Sequence, residues 1–522
     1  MRLDFTRRGF IGSAASLFAS ASADTYAQAV GAGRPRLVFG LLSDLHIRPR
    51  SEMERLMPGK KATDAIEADL FEKALSYYDE RGADAVVIAG DLADWGMIGQ
   101  MKVVLGVWEK VFPHGRSRRD GRKVERLIAF GNHDFEDWRS KPCKAWFNGE
   151  LPPEEEIFFN GLEANYERLF GERYEPIWRK EVRGYAFIGA HWGRWKGIDA
   201  VEPYFAAIGD SLKGDRPFFY IQHPQPLGTC LGDWCWGADS GQATRALSPY
   251  PNAVALSGHS HKSLRNERNV WQGAFTSVGT ATLSRLGVDA GRENSGHFVS
   301  NHRSVMKGTV GYVPGVGIHA AHGQLVSVYD GFLEIERREF VRGEPIGANW
   351  VVPVPAGKDA PFRYESRQKA ERAPAPFPDG AQVRVTHLDG KVRLEFPSVR
   401  AVAGAAPAED YEIEAVYTEG EVSRTLFTRY VYGPEALRQP AGRCEDVLAE
   451  FDAALFPPGG DVTFRIRAHA AFGHFNSAIS CVSCVKSKLC NDESGLNLCR
   501  SDEGSCGRQR IDTEKRNGCT TS

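Results

Sequence analysis

Five short apolar runs, each followed at once by polar residues, constrain this chain more than any other feature of its sequence. The runs are Leu37–Leu42, Ala85–Ala89, Leu127–Phe130, Phe218–Ile221 and Ala253–Leu256. They have the length of buried strands, and helical spacing of apolar residues marks the stretches 64–80 and 98–112 between the early ones. Strands that alternate with helices in this way predict an α/β domain over residues 35–345.

Metal-ligand residue types follow every one of these runs. They are Asp44 and His46, Asp91 and Asp94, Asn132 with His133 and Asp134, His223, and finally His259 and His261. The carboxyl ends of strands in an open α/β sheet meet along one edge, so we expect these side chains to converge. Glycine precedes three of them and lets the backbone turn sharply. Since Asp, Asn and His offer ligands that Zn, Mn and Fe accept, the sequence predicts a metal centre.

The ordered motifs DLH, GDLAD, GNHD, QHP and GHSH resemble those of the calcineurin-like metallophosphoesterase family, over roughly residues 36–340. The resemblance implies an α/β fold in which a sandwich of two β-sheets is flanked by helices, with a two-metal centre at its edge. The implied ligands are Asp44, His46 and His261 for one metal ion, Asn132, His223 and His259 for the other, and Asp91 as the bridge between them.

The chemistry expected of such a centre is hydrolysis by water. Two cations about 3.5–4 Å apart would share a bridging hydroxide that attacks phosphorus in line. His133 is predicted to donate a proton to the leaving oxygen, with Asp134 placed to hold its ring. Purple acid phosphatases, in the wider superfamily, carry a metal-binding Tyr where this chain has Asp94. This difference argues against an Fe(III)–tyrosinate centre and leaves two divalent or trivalent ions of Mn, Fe or Zn.

The predicted function is therefore hydrolysis of small organic phosphate esters, with diesters slightly favoured over monoesters. Two alternatives stay open, namely a catalytically silent interaction scaffold with the same fold and an exported nuclease. The formal charge of −2, from 65 Lys and Arg against 67 Asp and Glu, offers no general attraction for polyanions. No nucleic-acid partner is expected.

Candidate substrate contacts follow a further apolar run at 185–189. His191, Trp192 and Arg194 could meet a phosphate group or an organic ring, although packing within an insertion explains them equally well. The irregular segments around 135–183 and 192–216 are typical of binding loops. Aromatic residues that could contact an organic group there are Trp138, Trp146, Phe147, Phe158, Phe159 and Trp178.

The N-terminus has the features of an export signal. Arg7 and Arg8 stand directly before a short apolar stretch that ends in the small residues Ala27 and Ala29. This order resembles a twin-arginine (Tat) signal peptide over residues 1–29. We therefore expect the Tat machinery to export the folded protein, which would be periplasmic or secreted. No later stretch reaches the ~18 continuous apolar residues that span a bilayer, so the mature protein should lack a transmembrane segment.

The C-terminal third divides into three segments. Residues 346–378 are rich in Pro and Ala and predict a linker, whereas 379–480 alternate short apolar runs with turns and predict a small all-β sandwich-like domain. Residues 481–522 hold six of the ten cysteines and little apolar sequence, which predicts a poorly ordered Cys-rich tail. Elsewhere, Cys230 and Cys235 could form a disulfide, with two buried thiols as the alternative.

Overall fold

The five apolar runs form neighbouring strands of two β-sheets. The computed structural model describes residues 33–47, 65–135, 157–192, 197–230, 239–284, 310–312, 320–388, 390–400, 402–432, 446–458 and 461–484. The predicted signal segment with Arg7 and Arg8, the substrate candidate Arg194, the aromatic residues Trp138, Trp146 and Phe147, and Cys235 lie outside these residues. Among the described residues, no helix combines the length and the apolar character needed to cross a bilayer.

The strands of the first part of the chain, apart from Val310–Tyr312, build two sheets. In chain order they are β1 (Leu37–Leu42), β2 (Ala85–Ala89), β3 (Glu125–Ala129), β4 (Ile177–Val182), β5 (Tyr185–Ala190), β6 (Phe218–Ile221), β7 (Ala253–Ser257), β8 (Val270–Gln272), β9 (Thr276–Gly279), β10 (Val310–Tyr312), β11 (His322–Tyr329), β12 (Phe332–Glu339), β13 (Glu344–Pro345) and β14 (Trp350–Pro353). The first sheet has the order β13-β12-β11-β1-β2-β3, with β14 also paired to β12, and the second has the order β4-β5-β6-β7-β9-β8.

Parallel pairing places the carboxyl ends of the motif-bearing strands side by side. In the first sheet β1, β2 and β3 are parallel neighbours, with Leu41 opposite Val87 and Val87 opposite Leu127. In the second sheet β6 lies parallel to β7, with Ile221 opposite Leu256. The loops that follow these five strands carry the predicted metal ligands, so the topology gathers the ligands as the sequence predicts.

Helices cover the outer faces of both sheets. The described helices are α1 (Ala65–Glu80), α2 (Ile98–Val111), α3 (Asn132–Phe135), α4 (Leu162–Phe170), α5 (Val201–Ile208), α6 (Gln242–Leu247) and α7 (Tyr364–Ala370). Of these, α1, α2 and α4 pack in the core beside the first sheet, and α5 and α6 in the core beside the second. Side chains of β1 alternate between two layers: Leu42 belongs to the core that contains α1 and α2, whereas Phe39 lies between the sheets. There the Phe39 ring packs edge-on against Phe187 and Phe219, at centroid distances of 5.5 and 5.0 Å. The first domain is thus an α/β fold of two sheets flanked by helices, consistent with the fold that the motifs imply.

The later strands form two further sheets around one core. They are β15 (Arg384–Leu388), β16 (Lys391–Pro397), β17 (Asp410–Glu419), β18 (Val422–Tyr432), β19 (Asp446–Asp452), β20 (Asp461–His469) and β21 (Ile479–Cys484). Their orders are β15-β16-β19 and β10-β18-β17-β20-β21. Side chains from both sheets share one buried cluster, which agrees with a small sandwich-like all-β domain.

Two C-terminal segments are more regular than their composition predicts. The segment predicted as a linker carries β14, whose Val352 pairs with Leu333, and also helix α7. The start of the predicted Cys-rich tail belongs to β21, where Cys481 lies opposite Phe464 of β20. Ladder hydrogen bonds order these residues although they contribute few apolar side chains. The rest of the tail lies outside the described residues.

The structure decides between the two alternatives for Cys230. This residue is a free cysteine, and its fully buried thiol lies 3.2 Å from the carbonyl oxygens of both Asn269 and Ser277. Burial raises the pKa of this thiol to about 12, so it is neutral at physiological pH. The disulfide is therefore wrong for Cys230, and the buried-thiol alternative describes it correctly.

Candidate metal centre

Predicted ligands from both sheets meet at the carboxyl edge of the sandwich. Three groups of possible metal ligands have donor atoms within 4.8 Å of one another. They are Asp44 with His46 and His261, His46 with Asp91 and His133, and Asp91 with His223 and His259. The groups share His46 and Asp91, so they form one continuous cluster. Asn132, the remaining predicted ligand, begins α3 directly after β3.

Imidazole nitrogens surround the two buried carboxylates of this cluster. Asp44 Oδ1 lies 2.8 Å from His261 Nε2 and 3.7 Å from His46 Nε2. Asp91 Oδ2 lies 3.1 Å from His223 Nε2 and 3.8 Å from His46 Nε2. Asp91 therefore stands between ligands of the two predicted metal ions, as expected of a bridge.

The backbone at these ligands is strained. Seven described residues other than glycine have a positive φ between 46° and 69°, and five of them are predicted ligands. The five are Asp44, His46, Asp91, His259 and His261. Left-handed backbone costs an L-residue roughly 1–2 kcal/mol, although Asp and His tolerate it better than most. Strain concentrated at one cluster is typical of a functional site.

Several positions beside the cluster require glycine, because there is no room for a side chain or because the backbone has a positive φ. Gly90 has φ 98°, and a Cβ there would overlap the His223 ring. A Cβ on Gly131 would overlap the Asp91 carboxylate and the His223 ring, and one on Gly258 would overlap Ser43 and Asp44. The motif glycines therefore let backbone approach the ligands closely.

Hydrogen bonds fix which nitrogen of two imidazoles faces the cluster. His223 Nδ1 lies 2.7 Å from the Ala89 carbonyl oxygen, so the acceptor assigns the proton to Nδ1. His46 Nδ1 likewise donates to Asp94 Oδ1 at 2.9 Å. The Nε2 atoms of both rings then point lone pairs towards the carboxylates. A proton or a metal ion must lie between such groups, and this donor set suits a transition metal.

The pKa values of the histidines in the cluster indicate protons that a metal ion could displace. Burial lowers the pKa of His46, but the carboxylates of Asp44 and Asp94 outweigh burial and raise this pKa to about 10. In the same way Asp91 and Asp44 outweigh burial and raise the pKa of His223 to about 9. Burial and the nearby His223 ring lower the pKa of His259 to about 3. Metal binding would displace protons from His46 and His223, so metal affinity should weaken as pH falls.

The structure corrects the role predicted for Asp134. Its Oδ1 accepts from the Ala93 amide and its Oδ2 accepts from the Gly131 amide, both at 2.9 Å. The His133 ring is instead held by residue 94: His133 Nδ1 lies 2.8 Å from the Asp94 carbonyl oxygen and 3.7 Å from its carboxylate. Asp134 thus secures two ligand loops, whereas Asp94 contacts both His133 and His46.

Sequence reasoning counted Asp94 among the metal-ligand residue types but missed its role beside His133 and His46. The signal was present in the spacing, since GDLAD places a second carboxylate three residues after Asp91. Ser43 was missed as well. Its hydroxyl donates to Asp44 Oδ2, which also accepts from the His259 amide at 3.0 Å.

His191 is a core residue. It is fully buried, and its ring stacks between Phe130 and Tyr174 at centroid distances of 4.8 and 5.2 Å. Its Nδ1 accepts from the Phe130 amide at 2.9 Å, and burial lowers its pKa to about 3. The substrate role predicted for His191 is therefore wrong. Phe158 and Trp178, two of the aromatic candidates, are buried in the same way.

Trp192 does lie beside the cluster. Its half-buried ring is 5.7 Å from the His259 ring and 6.0 Å from the His223 ring, between centroids. Its amide donates to the Phe130 carbonyl at 3.1 Å, which ties this loop to the end of β3. The structure therefore brings the substrate candidate Trp192 to the ligands.

We expect His191→Gln to reduce the acid sensitivity of folding. The pKa of His191 is about 3 in the folded protein and 6.5 in an unperturbed chain, so between these values only the unfolded state binds the proton. Stability is complete above this window and falls as pH falls, by up to about 1.4 kcal/mol per pH unit. Urea unfolding at about pH 7 and pH 5 should show roughly 2 kcal/mol less loss for the variant. Equal losses in both proteins would contradict a neutral His191.

Comparison with known proteins agrees with this geometry. Residues 37–263 match the family model of the calcineurin-like phosphoesterases. The chain carries a calcineurin-like phosphoesterase domain. The matched range contains all seven residues that the motif resemblance implies as metal ligands, as well as His133. Among curated proteins, none has a significant match to this chain.

Three solved structures that align with part of this chain are a dimetal phosphatase, a purple acid phosphatase and Vps29. A dimetal phosphatase from Danio rerio is 10% identical, with 61% of this chain and 99% of that chain covered and a TM-score of 0.36. A purple acid phosphatase from yellow lupin (Lupinus luteus) is 12% identical, with 59% and 52% covered and a TM-score of 0.33. Wild-type Vps29 from Entamoeba histolytica, complexed with zinc, is 10% identical, with 60% and 99% covered and a TM-score of 0.24. At such scores these likenesses carry no functional argument.

Proposed function

We propose that this calcineurin-like phosphoesterase domain hydrolyses small organic phosphate esters, with diesters slightly favoured over monoesters. The observation that carries the proposal is the convergence of imidazoles from both sheets on the buried carboxylates of Asp44 and Asp91. A donor set of this kind suits two transition-metal ions of Mn, Fe or Zn. Ions held there would supply Lewis-acid catalysis of water attack on phosphorus.

The protein's own contribution to the reaction is positioning and proton transfer. Asp91 belongs to two of the three ligand groups, and its Oδ1 also accepts from the His133 amide at 2.9 Å. This bond holds the His133 backbone beside Asp91, which supports a role for the residue in the reaction. Because the Asp94 carbonyl engages His133 Nδ1, the Nε2 atom is the one that would carry a proton to the leaving oxygen. An acid of this kind matters most for poor leaving groups such as alkoxides.

Side chains at the edge of the cluster support this substrate class. The Trp192 ring offers an apolar face next to His223 and His259, where an organic group on phosphorus could stack. His133 favours esters with a leaving group that needs protonation. Small esters with an organic group on one or both sides of phosphorus satisfy both features better than inorganic polyphosphate does.

A matched substrate panel tests this proposal. We expect kcat/KM for a bis-aryl phosphate to be equal to or somewhat above that for the mono-aryl phosphate, with little cleavage of an oligonucleotide. Mn, Zn and Fe should be supplied in turn, with the metal-free protein as the control. A tenfold or larger preference for the monoester would reverse the diester assignment. Efficient oligonucleotide cleavage would favour a nuclease, and no turnover of any ester with both metals bound would favour a silent scaffold.

We also propose export through the Tat route to the periplasm or the exterior, which rests on Arg7 and Arg8 before a short apolar stretch. Since Lys does not reproduce guanidinium geometry, Arg7→Lys combined with Arg8→Lys should leave the precursor in the cytoplasm. Cell fractionation with antibody detection measures this, and Lys60→Arg with Lys61→Arg is a conservative control outside the signal. Normal export of the double variant at Arg7 and Arg8 would argue against the Tat route.

A further inference from the structure

The loop that follows His261 is held by a carboxylate from the C-terminal domain. Asn266 is fully buried, and its side-chain amide donates to Glu409 Oε1. Arg268 is 2% exposed, and its guanidinium lies 3.4 Å from the same Oε1 atom. Glu409 directly precedes β17 of the all-β domain. One carboxylate of that domain therefore contacts two buried side chains of the phosphoesterase domain.

Asn266 is connected to the metal ligands by a short path. Its backbone amide donates to the Ser263 carbonyl at 2.9 Å, and the Asn269 side-chain amide donates to the same carbonyl at 2.8 Å. Ser263 stands two positions after His261 in the chain. These bonds thus fix the course of the backbone as it leaves the GHSH motif.

Helix α7 holds the other side of the same turn. The Tyr364 hydroxyl donates to the Arg268 carbonyl at 2.9 Å. Arg367 donates to the Val270 carbonyl at 3.2 Å and to Glu267 Oε2 at 2.7 Å. Residues beyond position 345 therefore hydrogen-bond to the 3₁₀ turn Glu267–Asn269 from two sides. Both the turn and these residues lie outside the range that matches the family model.

We propose that Glu409 is a positioning residue of the metal centre and that the C-terminal β domain completes the support of the GHSH loop. The inference rests on the proposed function, because it assumes that His259 and His261 bind metal. Glu409 holds Asn266, Asn266 fixes the backbone at Ser263, and this backbone aims His261 at Asp44. Partners that orient metal ligands from outside the coordination sphere commonly change metal affinity by about 10–100-fold.

The test compares metal binding by two variants of the full-length protein. Glu409→Ala removes the acceptor for Asn266 and should weaken one of the two Zn²⁺ or Mn²⁺ affinities by about tenfold, measured by titration against a chelator of known affinity. Glu409→Gln keeps an acceptor oxygen for Asn266 but loses the charge that faces Arg268. Its metal affinity should stay near that of wild type, although both variants should melt at lower temperature. Rescue by Gln separates positioning from a merely structural role, which would make metal affinity follow Tm.

Glu371→Gln is the matched control. Its carboxylate joins the end of α7 to the β domain by accepting from the Phe472 amide at 2.9 and 3.0 Å, away from the GHSH loop. This variant should lower Tm and leave both metal affinities unchanged. If Glu409→Ala does not fold, the double variant Arg268→Met with Glu409→Met replaces the buried ion pair by apolar side chains and still lacks the bond to Asn266. It should show the same loss of affinity.

Unchanged binding of both metal ions by Glu409→Ala, or by the double variant, would overturn the positioning role. Equal losses in Glu409→Gln and Glu409→Ala would overturn it too, because affinity would then follow stability. A wild-type protein that binds fewer than two metal ions would instead count against the proposed function. The two failures are therefore distinguishable without any activity measurement.

Discussion

Asp91→Asn should reduce kcat/KM for phosphate esters by at least about 10³-fold, since removal of even one electrostatic donor to a transition state costs about 10²–10³. The reason is its position between ligands of the two predicted metal ions, 3.1 Å from His223 Nε2 and 3.8 Å from His46 Nε2. An amide lacks the second anionic oxygen that a bridge between two cations needs. Metal analysis of the purified variant should find fewer than two ions per chain.

Asp84→Asn provides a matched control at the start of the same strand. The Asp84 carboxylate accepts from the Val38 amide at 3.1 Å. Asp84 directly precedes β2, so it lies at the amino end of this strand, whereas the cluster lies at the carboxyl end. The same chemical change there should leave metal content and kcat/KM close to those of the wild type. Full activity of Asp91→Asn with two bound ions would show that Asp91 is not a bridging ligand.

His133→Ala should slow turnover of alkyl phosphate esters by about 10²–10⁴, the usual contribution of a general acid. Both metal ions should stay bound, because the predicted ligand sets do not need this side chain. The loss should shrink for aryl esters, whose leaving groups require less protonation. Steady-state kinetics over a series of leaving groups, with metal analysis, measures this. Loss of a metal ion would make His133 a ligand, which its closeness to His46 and Asp91 would then explain.

Asp134→Asn is the control that separates orientation of His133 from support of the loops. The Asp134 carboxylate accepts from two backbone amides, of Ala93 and Gly131. Substitution should therefore reduce stability by about 1–3 kcal/mol, the usual result of disturbing buried hydrogen bonds. The dependence of rate on the leaving group should remain. Disappearance of that dependence would restore the role that the sequence first predicted for Asp134.

The fold around the site follows from local sequence because its strands are continuous apolar runs. Leu37–Leu42 and Ala85–Ala89 are strands with the predicted bounds, and both are buried on each face by the second sheet and the helices. Runs of this kind have few other stable conformations. Residues directly after parallel strands must then share an edge, which is why the five polar clusters could be expected to converge without a structure, whereas the seven ligands among them were implied by the motif resemblance.

Side-chain direction could not be predicted in the same way. Asp134 is adjacent to His133 in sequence, but α3 points its carboxylate back at the ligand loops, and Asp94 reaches the His133 ring from another strand. His191 follows a strand like the ligands do, yet it turns into an aromatic cluster. The strand in the predicted linker was missed because composition reveals turns and prolines, whereas β14 depends on pairing with a partner strand.

In the ligand sets that the motif resemblance implies, each metal ion would take ligands from loops of both sheets. Asp44 and His46 follow a strand of the first sheet and His261 follows a strand of the second. Likewise, Asn132 follows a strand of the first sheet, whereas His223 and His259 follow strands of the second. Bound ions would therefore cross-link the two sheets. They would add about 4 kcal/mol to the free energy of unfolding when the free metal concentration exceeds Kd a thousandfold. The coupling runs both ways: a void opened in the aromatic layer around Phe39 would let the sheets slide and loosen ions that no altered residue touches.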